Sequence, residues 1–184
     1  MDEYIDIVTI EGKPTGKQTL KSIVHQKGYY HHTAQIWFYT ENKEILLSQR
    51  AAKKQICPLM WDVSVAGHID AGETVTQAAI RETKEELGFD ILKHKLTKIG
   101  VFKCFQSYNN GIIDNEFHNV FIAQLNLPIS KLLLQEDEVE AVKLVSFKQF
   151  QILIDCINNN NNHFIPSTKS YYQFVLKTIQ KKIS

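Results

Sequence analysis

Long apolar runs are missing from this chain of 184 residues, and none approaches the roughly eighteen residues that cross a bilayer as a helix. The opening residues, MDEYIDIVTIEG, begin on acids, unlike the basic start and apolar core of a signal peptide. Cysteine is scarce. Cys57, Cys104 and Cys156 are widely spaced, odd in number and without C-x-x-C pairing, which argues against a disulfide framework, offers no zinc knuckle and suits a reducing cytosol. Net charge is nearly absent too: 21 basic against 20 acidic residues leave +1, so no bulk attraction draws the chain to nucleic acid or to an anionic membrane. There is no internal repeat, and the one low-complexity patch, asparagines at 158–162, is expected as an exposed linker between two C-terminal helices. These absences leave a cytoplasmic protein whose 43% hydrophobic and 22% charged residues can build a substantial core.

Apolar and β-branched runs between turns predict strands near 35–40, 44–50, 61–67, 96–105, 116–125 and 141–147, with ENK at 41–43 as a hairpin turn. A helix should follow Ser146, where SFKQ has capping-box spacing. Another should follow Pro166, with Tyr171, Phe174, Val175 and Thr178 as its apolar stripe. Strands mixed with helices in this way predict a sheet covered on its faces by helices. Residues 1–155 are expected as the main domain, with the loop and helix of 156–184 packed on it. An unpaired apolar face on that last helix would support a homodimer.

A third helix, between Thr74 and Gly88, carries the strongest signal. Thr74 and Gln77 fit a capping box, and Gly88 is placed to end the helix. Ile80, Thr83 and Leu87 form the expected buried stripe, while Glu82, Glu85 and Glu86 lie almost opposite. Three carboxylates at i, i+3 and i+4 repel one another. Arg81 can reach Glu85, but Glu86 faces Asp90 four residues on, and a solvated face would more often interleave opposite charges. A divalent cation would relieve the repulsion, since Mg²⁺ prefers oxygen ligands in octahedral geometry.

The residues before the helix sharpen this. GHIDAGETVTQAAIRETKEELGF, from Gly67 to Phe89, matches Gly-x5-Glu-x7-Arg-Glu-U-x-Glu-Glu-x-Gly-U, where U is a bulky apolar residue, with Gly67, Glu73, Arg81, Glu82, Glu85, Glu86 and Gly88 in register. At ordinary abundances seven such matches arise by chance on the order of once in 10^8 windows. The stretch resembles the Nudix box, with Thr83 standing where an aliphatic residue is usual. That resemblance implies an α/β (α+β) fold, the Nudix α/β/α sandwich with a mixed β-sheet flanked by helices. It also implies Mg²⁺ or Mn²⁺ as cofactor and a small-molecule diphosphate as substrate. Glu82, Glu85 and Glu86 become the expected metal ligands, with Glu86 foremost. Arg81 would orient Glu85, Glu73 would support the loop, and the stretch from Gly67 to Gly72 would bring backbone close to the phosphates.

Over residues 4–150 the chain further resembles the isopentenyl-diphosphate isomerase branch of that superfamily. The resemblance implies diphosphate contacts for Lys21, Arg50 and Lys54, and metal contacts for His25, His31, His68, Asp114 and Glu116, although Asp114 stands where that branch has a longer acid. The isomerase reaction depends on a cysteine immediately before the GH dipeptide, and here that residue is Ala66, in SVAGH. The isomerase tyrosine aligns with Cys104, and Cys57 aligns with an aromatic position. The expectation is therefore an isomerase-like scaffold that hydrolyses a diphosphate linkage, in a nucleoside diphosphate derivative or a related compound. Glu85 and Arg81 would join in the chemistry, and Glu116 would be the general base. The acidic run EDEVE, with Glu136 and Glu138, is read as an exposed turn. Trp37, Trp61, Phe102, Phe105 and Tyr108 could stack on a base or fill the core, and core is expected for the two tryptophans. Two rival readings stay open: an isomerase with a rearranged acid–base pair, and a non-catalytic sensor of a nucleotide or diphosphate.

Overall fold

Two strands, β1 (Tyr4–Val8) and β2 (Pro14–Leu20), pair antiparallel in a separate two-stranded sheet at the start of the chain. The computed structural model describes residues 3–157, 159 and 164–183. A short helix, α1 (Lys21–Lys27), leads into β3 (His31–Tyr39), β4 (Glu44–Arg50), β5 (Trp61–Asp62) and β6 (Val65–His68). Helix α2 (Val75–Leu87) follows, then β7 (Thr97–Ser107), β8 (Ile113–Gln124), β9 (Val139–Ser146), α3 (Phe147–Asp155) and α4 (Lys169–Ile183). The hairpin β1–β2 and helix α1 had no counterpart in the sequence reading. The expected strand 61–67 proved to be two short ones, β5 and β6.

The larger sheet has seven strands and is mixed, because β3 and β8 run parallel from His31↔Glu116 to Tyr39↔Gln124 while the remaining pairs are antiparallel. It forks beside β3. The first half of β3 pairs with β6, whereas β4 touches it only at Tyr39↔Ile45, the root of their hairpin, and then runs alongside β9 and β5. Period-two alternation sorts β3 between two cores. Ala34, Ile36 and Phe38 face Ala78, Ala79 and Leu87 of α2. Trp37 and Tyr39 face Phe150 of α3 and Tyr172, Val175 and Ile179 of α4. Helices cover both faces of the sheet, as the resemblance implied.

Helix α2 begins at Thr74 with both halves of the capping box formed, and ends at Gly88, whose φ of 75° is a left-handed value that favours glycine. Its buried set differs from the expected stripe. Thr83 and Leu87 are buried, Ile80 only partly, and Ala78, Ala79 and Glu86 join them, so the glutamate side is not simply solvent-facing. The segment after β8 covers it: Leu133 N–H and Gln135 N–H donate to the carbonyls of Leu87 and Glu86. The Thr83 hydroxyl bonds back to Ala79 O at 2.7 Å, leaving its methyl to pack.

Helix α3 has the predicted capping box at Ser146 and Gln149. On α4 the stripe was misread by part of a turn: Tyr171, Tyr172, Val175, Leu176 and Ile179 are buried, while Phe174 is 42% exposed. The apolar face of α4 is thus spent inside this chain, which removes the ground on which a dimer was expected. The asparagine stretch lies outside the described residues apart from Asn159, a turn residue whose N–H donates to Cys156 O.

Candidate active site

A cavity of about 720 Å³ opens on the α3/α4 side of the fork, lined from both of its branches and from the end of α2. The strand period builds its floor. β3 sends His31, Thr33, Gln35 and Trp37 to one face, and the register sets Glu116 beside His31, His118 beside Thr33 and Ala66 beside Gln35. Asp114, Glu116 and His118 alternate along β8 in the same way, and Cys104 pairs with Glu116 from β7.

The three expected histidines converge. The ligating nitrogens of His25, His31 and His68 lie within 4.8 Å of one another. His25 Nε2 is 3.1 Å from His68 Nε2, and its Nδ1 is 2.7 Å from Asp114 Oδ1. Glu116 Oε1 lies 3.6 Å from His31 Nε2 and 3.9 Å from His68 Nε2, while Glu116 Oε2 takes a 2.7 Å bond from His118. Burial works against a charged Glu116, yet the bond from His118 and the nearby His31 ring outweigh it and hold the carboxyl well below its ordinary range. Burial likewise opposes charge on His118, but Cys104 and Glu116 push it up to about 10. His68 goes the other way, lowered by burial and by Lys21. His31 Nε2 is fully buried without a hydrogen-bond partner among the described residues. An orphaned ring nitrogen facing two imidazoles and a carboxylate fits a cation site.

The carboxylates of α2 form a second cluster around Arg81. Its Nε and Nη2 grip Glu73 at 3.2 and 2.9 Å, Nη1 reaches Glu82 at 2.8 Å and Glu85 at 3.0 Å, and Nη2 also reaches His68 O at 2.9 Å. Glu73 in turn accepts from Asp70 N–H and so ties the loop after β6 to the helix. All of Arg81's donors are thus bound inside the protein, Glu85 among their partners, as its expected orienting of Glu85 requires. Glu86 is 6% exposed, and burial together with Glu82 and Glu138 raises its pKa well above the usual carboxylate range. Glu82 is pushed up to about 7 by burial, against the pull of Arg81. Buried Glu86 and half-buried Glu82 have one guanidinium beside them, bonded to Glu82 alone of the two, so the pair is short of positive charge, and hard oxygen donors are the set that Mg²⁺ or Mn²⁺ takes. The residues present fit such a cation.

Gly67 sits near the end of β6, one residue before the strand gives way to the stretch that runs to Gly72, and its missing side chain makes room for Glu82: a Cβ there would stand 1.9 Å from Glu82 Cδ. The three expected phosphate contacts all line the cavity, each already paired with an acid: Lys21 with Glu3 at 3.0 Å, Arg50 with Asp62 at 3.3 Å, and Lys54 with Glu138. Glu138 is therefore part of the cavity wall and not of a merely exposed turn. Ala66 lines the cavity and offers only a methyl. Among the aromatic candidates Trp37 and Tyr108 line it too, while Phe102 packs on Tyr171 and Trp61 lies under Lys143 Nζ at 3.7 Å. Sequence reasoning missed Thr33, Gln35, His118 and Tyr171. For His118 a signal existed, since it continues the period-two series of Asp114 and Glu116.

Residues 29–168 match the family model described as NUDIX domain, and that span holds most of the site. The chain belongs to the Nudix family. Nudix hydrolase 3 of Arabidopsis thaliana is 36% identical over 154 residues, 82% of this chain, but the match spans only 20% of that protein. An uncharacterised Nudix hydrolase of Clostridium acetobutylicum is 30% identical over 204 aligned positions, covering 97% of each chain. Isopentenyl-diphosphate Delta-isomerase 2 of Photorhabdus laumondii is 32% identical over 155 residues, 84% of each. These relatives place the chain in the isomerase-like branch of the Nudix superfamily. The solved structure of DR0079 from Deinococcus radiodurans superposes with a TM-score of 0.71 at 15% identity, covering 93% of this chain and 98% of that one, a likeness of fold. Among the described residues no helix is long and apolar enough to cross a membrane.

Proposed function

We propose that this Nudix protein hydrolyses a diphosphate linkage in a small phosphorylated compound with the help of a divalent metal. The observation that carries the reading is the pair of acids at the wall of a cavity, buried Glu86 and half-buried Glu82, with Lys21, Arg50 and Lys54 lining the same cavity. A divalent cation, Mg²⁺ or Mn²⁺, would supply neutralisation of the diphosphate and acidification of a water. Glu82 and Glu86 would hold it, with Glu85 at the more exposed edge and Arg81 fixing the geometry of Glu82 and Glu85. His25, His31, His68 and Asp114 offer a second place for a cation. Lys21, Arg50 and Lys54 would exchange their acid partners for phosphate oxygens, which guanidinium and ammonium groups bind strongly. Glu116 is the acid assigned to the attacking water. Its depressed pKa keeps it ionised and able to accept a hydrogen bond, so it orients the water along the line of attack.

The competing reading is isomerisation of isopentenyl diphosphate, favoured by the relatives in that branch and opposed by Ala66, which has no exchangeable proton where the reaction needs a thiol. Product analysis by mass spectrometry decides between them. The protein is incubated with Mg²⁺ and nucleoside diphosphate sugars, dinucleotides, nucleoside triphosphates or isopentenyl diphosphate, with Glu86→Gln as control. Metal-dependent cleavage that disappears in the control is the expected result. Conversion to dimethylallyl diphosphate, or binding without any change, would overturn it in favour of the isomerase or of a sensor.

A further inference from the structure

We infer that the cavity floor around Thr33 and Gln35 reads the group attached to the diphosphate, and that it selects a hydroxyl-rich group of the sugar type over a hydrocarbon tail. The inference rests on the hydrolase reading only in placing the phosphates at the basic rim. A relay from the far end of the chain fixes how Gln35 presents itself. Trp37 Nε1–H donates to Tyr171 Oη at 3.0 Å, and the Tyr171 hydroxyl, having accepted that bond, donates to Gln35 Oε1 at 2.6 Å. The amide is therefore oriented with its oxygen toward α4, and its NH₂ group makes no hydrogen bond among the described residues. Next to it on the same face of β3, Thr33 is 4% exposed, lines the cavity, and its hydroxyl has no partner among the described residues.

Two polar groups side by side, one a donor and one able to donate or accept, are costly to cover with hydrocarbon and favourable to cover with ligand oxygens. Ala66, paired with Gln35 across the strands, adds only a methyl beside the amide. Trp37 is fully buried behind this floor and acts through its bond to Tyr171, so the polar face of the floor belongs to Gln35 and Thr33. The volume of about 720 Å³ has room for a nucleotide-sized compound.

The test compares a nucleoside diphosphate sugar, isopentenyl diphosphate and inorganic diphosphate on the full chain with Mg²⁺. It uses kcat/KM for any compound that is cleaved and Kd for any that is not. The wild type is expected to prefer the sugar compound over isopentenyl diphosphate by about tenfold or more. Gln35→Met and Thr33→Val should each shrink that preference while leaving affinity for inorganic diphosphate unchanged, and Thr33→Ser, which keeps the hydroxyl, should retain it. Equal or stronger recognition of isopentenyl diphosphate, or a preference untouched by both variants, would overturn the inference. So would Thr33→Ser behaving like Thr33→Val. Preference in binding without cleavage would sink the hydrolase and leave the floor's reading standing; cleavage without preference would do the reverse.

Discussion

An alanine at position 67 would set its Cβ 1.9 Å from Glu82 Cδ, a distance that forces the carboxyl out of its place. Gly67→Ala is therefore expected to lower Mn²⁺ affinity and turnover by about 10–100-fold, the usual effect of disturbing a ligand's support, with the protein still folded by circular dichroism. Arg81→Lys should act similarly, because a single ammonium cannot replace a fork that holds Glu73, Glu82 and Glu85 at once. Normal metal affinity in both variants would mean that the acids of α2 are not the ligands. These residues were legible in the sequence because a glycine, an arginine and four glutamates recur at fixed spacing. Thr33 and Gln35 were not, since a neutral polar residue in a strand carries no spacing signal. Only the register sets them beside Ala66 and His118.

At the scale of elements, helix ends were the easiest features to read. The capping boxes at Thr74 and Ser146 depend on three-residue spacing alone and formed as expected. Thr74→Ala should cost about 1 kcal/mol in urea unfolding, as lost N-caps do. The hairpin β1–β2 escaped notice because β2 is exposed over most of its length and shows no apolar alternation. Helix α4 was read slightly out of phase, since Tyr171 and Tyr172 are adjacent and two stripes compete; packing against Trp37 and Phe150 settles the choice. Ile179→Ala should then cost about 2–5 kcal/mol, as a buried cavity does. Phe174→Ala, at a position 42% exposed, should cost less than about 1 kcal/mol in the same urea titration. The opposite ranking would restore the sequence-based stripe.

For the molecule as a whole, pH couples the site to the fold. Glu82 in the folded chain titrates at about 7, above an ordinary carboxyl, so below that pH the folded state keeps a proton the unfolded chain has lost. Its contribution to stability fades as pH rises toward 7, where His68, depressed by burial, has an opposing slope below its usual value. His118, raised to about 10, and the raised Glu86 carboxyl slope the same way, and the metal-free protein should lose stability steadily from neutral to alkaline pH. If Glu82 and Glu86 hold the cation, as proposed, it displaces their protons, and the rise in Tm on adding Mg²⁺ should be larger near about pH 8 than near about pH 6 in thermal scans. An equal rise at both would remove these acids from the binding event. The layered architecture was foreseeable from motif and pattern, whereas the fork beside β3 was not, because strand pairing between distant segments leaves no local trace. That fork also sets a timetable. His25 meets Asp114 across 89 residues and Tyr171 meets Gln35 across 136, so the histidine cluster and the floor are assembled from distant parts of the chain, unlike the acids around Arg81. Closing such loops is slow, on the order of milliseconds to seconds for topologies dominated by distant pairings. A chain emerging from the ribosome would have to release α4 before the floor could take its final shape, and ligands can then stabilise only a finished fold, by mass action, without guiding its early steps.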